Sequence, residues 1–131
     1  MRKRILIAGS ILILLITVII ILWQSYTGSP DYNYLTAKVD IKKGHARIIN
    51  IGFRRASSKD KEIDMVTAKY GFENVFIGYD TTKQKIKGIK NYNEIAESYL
   101  ALRNGPAWRI NYQQEIDSLY KAATMEARNK K

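Results

Sequence analysis

ILIAGSILILLITVIIILW, residues 5–23, follows Met1-Arg2-Lys3-Arg4 and is the dominant apolar run of a 131-residue chain. It holds no charge and no Pro, and only Gly9, Ser10 and Thr17 interrupt its aliphatic character. As a helix rising about 1.5 Å per residue it measures about 28 Å, against a bilayer hydrocarbon core of about 30 Å. The expectation is a transmembrane signal anchor over 5–23. A cleaved signal has a shorter core of about 7–15 residues and a small-x-small cleavage site. Here the core ends in Trp23, whose indole suits a membrane interface. Beyond it, a cut after Gly28 would place Tyr26 at −3, and a cut after Ser29 would place Pro30 beside the scissile bond. The chain contains no Cys, which excludes a lipoprotein route.

Charge sets the expected orientation. Arg2, Lys3 and Arg4 flank the run on one side, and no Lys or Arg follows it until Lys38. The positive-inside bias then places the N-terminus in the cytoplasm and the rest outside. The expected location is the bacterial inner membrane, with one span and a periplasmic C-terminal domain. The boundaries read as a cytoplasmic basic tail 1–4, anchor 5–23, linker 24–36, small domain 37–125 and frayed basic tail 126–131.

Outward from the anchor, residues 37–41 (AKVDI) alternate with period two, 42–44 read as a turn, and 46–51 (ARIINI) read as a second strand. Ser57 or Ser58 caps a helix to about Tyr70, with Asp60, Glu62 and Asp64 near its positive end and Gly71 as its stop. FENVFIGY, 72–79, reads as a third strand. Asp80-Thr81-Thr82 then caps a long helix to about Arg103, with the stripe Ile86, Ile89, Tyr92, Ala96, Tyr99 and Leu102. Asn104-Gly105-Pro106 separates it from a last helix bearing Trp108, Tyr112, Ile116, Leu119 and Ala123. The fold class expected is α+β: an N-terminal transmembrane helix, then a two-layer β-β-α-β-α-α domain with a C-terminal helical hairpin.

Catalytic chemistry finds little support in these residues. His45 is the sole histidine and there is no cysteine, so two-His zinc sites and Cys-His pairs are excluded. Glu94 with Glu97, and Glu115 with Asp117, read as helix-surface charges. No phosphate-binding glycine loop or nucleophile elbow is present. The expectation is a non-enzyme with no cofactor and no metal.

The charge balance is more informative, with 22 Lys+Arg against 12 Asp+Glu and a net of +10. Lys42, Lys43 and Arg47 cluster at the expected hairpin, while Lys83, Lys87 and Lys90 fall on one helix face. These six form a candidate basic patch for anionic lipid, an acidic envelope polymer or an acidic protein. Nucleic acid suits the charge but is disfavoured for an exported domain, and returns if the topology is reversed. Asn91, Asn104 and Trp108 form a candidate groove around the helical hairpin.

The segments VDIKKGHARI (39–48), KYGFENVFIG (69–78), KGIKNYNEIAESYLALRNGPAW (87–108) and EIDSLY (115–120) resemble a type of small bacterial envelope protein with an N-terminal anchor and no assigned activity. The resemblance covers most of 37–121, and implies an intact domain in the envelope without contributing a catalytic residue. The function expected is a membrane-tethered extracytoplasmic binding domain, accessory to an envelope complex through a protein partner. The alternatives are an envelope-tethered immunity or inhibitor protein and, with reversed topology, an anionic lipid or nucleic-acid module.

Overall fold

Five helices and two short strands make up the residues described by the computed structural model, 2–27 and 31–129, with side chains described for 9–23 and 31–129. The helices are α1 (Arg2–Thr27), α2 (Tyr34–Lys42), α3 (Asp60–Tyr70), α4 (Lys83–Asn104) and α5 (Trp108–Asn129). The strands are β1 (Arg47–Asn50) and β2 (Glu73–Phe76), paired in parallel with Arg47 opposite Glu73 and Asn50 opposite Phe76.

Three corrections to the sequence reading follow. First, the α+β hairpin architecture does not form. Residues 37–41, expected as a strand, lie inside α2, because Asn33 caps that helix. Its Oδ1 accepts from Leu35 N (2.8 Å) and Thr36 N (3.0 Å), and Thr36 Oγ1 accepts from Asn33 N (2.9 Å), a reciprocal capping box. Ala37, Asp40 and Ile41 then share a helix face, which a five-residue alternation does not distinguish from a strand. Residues 42–44, expected as a hairpin turn, are the end of that helix and its cap.

Second, the surviving strand β1 pairs in parallel with β2, so α3 is a crossover between parallel strands. Among the described residues the sheet has these two strands only, and the domain is mostly helical.

Third, among the described residues no helix is long and apolar enough to cross a membrane. The transmembrane helix, signal anchor, single-pass topology and inner-membrane location read from 5–23 therefore do not stand. The large apolar side chains of α1 from Ile11 to Trp23 are exposed, and none belongs to the core. Within the expected linker, residues 28–30 lie outside the described residues, as do 130–131 of the expected tail; α5 continues through Asn129.

The core gathers Ala37, Ile49, Ile89, Tyr92, Ala96 and Leu100 with the aromatic group Tyr70, Phe72 and Trp108. Phe72 meets Trp108 and Tyr112 edge-on at centroid distances of 5.7 and 5.0 Å. α4 runs along the free edge of β1. There the Asn93 carboxamide imitates a neighbouring strand, with Oδ1 accepting from Ile49 N (2.9 Å) and Nδ2 donating to Ile49 O (2.8 Å). One side chain thus satisfies both outward backbone groups of a buried strand residue. Leu102, expected in the buried stripe of α4, is 89 % exposed, and Leu100 takes the core position.

Candidate binding surfaces

The six residues of the candidate basic patch meet different fates. Lys42 and Lys43 sit exposed at the C-terminal end of α2. Lys83, Lys87 and Lys90 are exposed along the first turns of α4, which Thr82 Oγ1 caps by accepting from Lys85 N at 3.2 Å. Arg47 instead turns into a network at the start of β1. It pairs with Asp40 Oδ2, to which Tyr92 Oη also donates (2.6 Å).

Burial alone would push the Asp40 carboxyl up. The hydrogen bonds from Tyr92 and Arg47 outweigh it and hold the carboxyl below its ordinary value. Tyr92, fully buried, is pushed up to about 12 by burial first and by its bond to the carboxylate second. Arg47 is raised chiefly by Asp40, and its buried Nε finds no partner among the described residues. The network thus ties α2, β1 and α4 together, and Arg47 is engaged within the fold.

The candidate groove does not assemble as an open surface. Trp108 is 3 % exposed, inside the aromatic group. Asn104 Nδ2 donates to Tyr70 O (2.8 Å) and Leu100 O (3.1 Å), fastening the end of α4 to that of α3. Asn91 lies half-buried on α4.

Sequence reasoning missed a cleft of about 180 Å³ between one face of the sheet, α3 and α5. β1 contributes Ile48 and Asn50 and β2 contributes Asn74 and Phe76, each pair two residues apart and so on one face. Thr67 of α3 and Tyr112 of α5 line it as well. A directed chain of hydrogen bonds crosses this lining. Ile48 O can only accept, so the Asn50 atom facing it at 3.2 Å is Nδ2. The same Nδ2 donates to Asn74 Oδ1 (3.0 Å), which leaves Asn74 Nδ2 to donate to Tyr112 Oη (2.8 Å). Thr67 Oγ1 donates to Ile63 O (2.8 Å), so Tyr112 is the donor across the 3.1 Å contact to Thr67. The only sequence signal was Asn at both 50 and 74, where an apolar strand face would be ordinary.

The cations at the cleft are already matched. Arg54 pairs with Asp64 (2.8 Å) and Asp60 (3.3 Å), and Arg109 with Glu97 (2.8 Å). Among the described residues no group of three or more His, Cys, Asp or Glu is placed to hold a metal, and His45 is exposed. No protein-family model matches the chain, and no curated protein or solved structure shows significant similarity to it.

Proposed function

We propose that residues 31–129 are a non-catalytic binding module that takes an acidic protein or polymer on its lysine-bearing surface. The observation that carries this reading is the uneven use of charge. Asp40, Asp60, Glu62, Asp64, Glu97, Glu115 and Glu126 are each held in ion pairs within the domain. Lys42, Lys43, Lys83 and Lys90 are exposed and enter no ion pair among the described residues. Seven of the twelve acidic residues are thus paired internally, while these exposed lysines carry part of the cationic excess of a +10 chain at the surface.

The test is titration of the full chain with poly-L-glutamate at two salt concentrations. The expected result is binding that weakens about tenfold or more between 50 and 200 mM salt, as counterion release requires. The combined variant Lys83→Glu, Lys87→Glu, Lys90→Glu is expected to lose most of it. Binding undiminished in that variant would remove α4 from the interface. Equal binding to a neutral polymer would remove the electrostatic reading altogether.

A further inference from the structure

We propose that the cleft between the sheet face, α3 and α5 is a binding site for a small uncharged ring that carries an amide edge, a hydrogen-bond donor beside an acceptor. Its size is about 180 Å³, and an apolar cavity of about 150 Å³ is enough to hold benzene. One ring fits. Phe72, Phe76 and Tyr112 supply aromatic walls suited to a planar ligand.

The polar lining selects the edge of that ring. Along the directed chain, Asn50 spends both Nδ2 hydrogens, on Ile48 O and Asn74 Oδ1, and Asn74 spends one, on Tyr112. Asn50 Oδ1 and the second Asn74 N–H have no partner among the described residues. One accepts and the other donates, the complement of a ligand N–H and C=O. The chain is fixed at both ends by backbone carbonyls, Ile48 O and Ile63 O, so neither amide turns over without breaking bonds already made. Both amides are thus held in one orientation.

Charge argues in the same direction. Arg54 and Arg109, the cleft's cations, are held by Asp60, Asp64 and Glu97, leaving no free cation there for an anionic ligand. The site is therefore separate in chemistry from the lysine surface.

The probe is uracil, a small ring that carries this edge, added to the full chain and followed by calorimetry and by the side-chain amide resonances of Asn50 and Asn74. Saturable binding is expected at about 1 mM or tighter, with both resonances shifting. 1,3-Dimethyluracil keeps the ring and both carbonyls but has no N–H, and is expected to bind about tenfold more weakly. Asn50→Leu is expected to weaken uracil by a similar factor. The ligand comparison is made on the unaltered chain, so it decides the matter even if that variant folds poorly. No shift of either resonance up to about 10 mM uracil would overturn the proposal. Equal affinity for the dimethyl analogue would overturn it as well.

Discussion

Asn93→Leu removes the side chain that closes the free edge of β1. In the native chain, Asn93 accepts from Ile49 N at 2.9 Å and donates to Ile49 O at 2.8 Å, and Ile49 is 2 % exposed. Leucine fills similar volume but supplies neither group, so a buried donor and a buried acceptor lose their partners together. Each such loss costs about 1–3 kcal/mol, so the two together cost about 2–6 kcal/mol. With a urea m-value of about 1.5 kcal/mol/M for a small chain, the unfolding midpoint is expected to fall by about 1.3–4 M at unchanged m. Asn93→Asp provides the internal control. Its carboxylate keeps the acceptor for Ile49 N but repels Ile49 O, and only the protonated acid donates there. The introduced carboxyl is therefore raised in the folded state. Its stabilising contribution is present below the unfolded value of about 3.9 and is lost as pH rises through the folded value. Relative to wild type at each pH, this variant is expected to gain stability on acidification. A midpoint within about 0.3 M of wild type for Asn93→Leu, or no pH dependence for Asn93→Asp, would refute the edge-closing role.

Tyr92→Phe bears on the Asp40–Arg47–Tyr92 network at both ends of the pH scale. The native phenol, pushed up from 10.0 to about 12, contributes stability that is present below pH 10 and lost as pH rises through about 12; denaturation midpoints across that window should flatten in the variant. Asp40 is held below its ordinary 3.8, so its contribution is present above that pH and lost as pH falls through the lowered value. The acid-side loss should therefore be smaller in Tyr92→Phe, which lacks one of the bonds that depress the carboxyl. Gly71→Ala forces a Cβ onto a cap residue at φ 84° and brings it within 2.4 Å of the Arg103 guanidinium; thermal unfolding should report a loss of about 1–2 kcal/mol, chiefly from backbone strain.

The parts of this fold legible in the sequence are those in which a local signal has a unique physical reading. Gly71 in the left-handed region ends α3, Thr82 caps α4, and Gly105 separates α4 from α5. The hairpin misreading came from a segment with two compatible readings. Ala37, Val39 and Ile41 alternate, but Asn33 and Thr36, three residues apart, form a helix-starting box that decides the matter. Parallel pairing of β1 with β2 is a tertiary fact: four-residue strands carry no mark of their partner's direction. Leu102 and Leu100 show a similar limit, since both suit an apolar stripe and only the packing of α4 selects one. The residue 5–23 reading treated a run of apolar side chains by itself, whereas among the described residues no helix is long and apolar enough to cross a membrane. At the candidate sites, charge spacing located exposed lysines but gave no sign that Arg47 would be claimed by Asp40. The Asn50–Asn74 pair was hidden because its members lie 24 residues apart and meet only through strand register.

That pair also offers a way to separate stability from binding. A small domain gains little from hydrogen bonds that could be replaced by apolar contact, since each contributes only about 1 kcal/mol net. Asn74→Leu alone leaves Asn50 short of an acceptor and Tyr112 short of a donor, a loss of about 1–2 kcal/mol. Replacing both asparagines by leucine also removes the group left short at Asn50, while Tyr112 still donates to Thr67. The double variant should therefore lose less than the sum of the singles, with an interaction energy of about 1 kcal/mol in a double-mutant cycle. Near-native stability combined with lost uracil binding would mean that the fold does not need the polar chain and that the chain's value lies in what it recognises. A double variant that loses the full sum would make the asparagines structural and would weaken the case that their free edge is kept for a ligand.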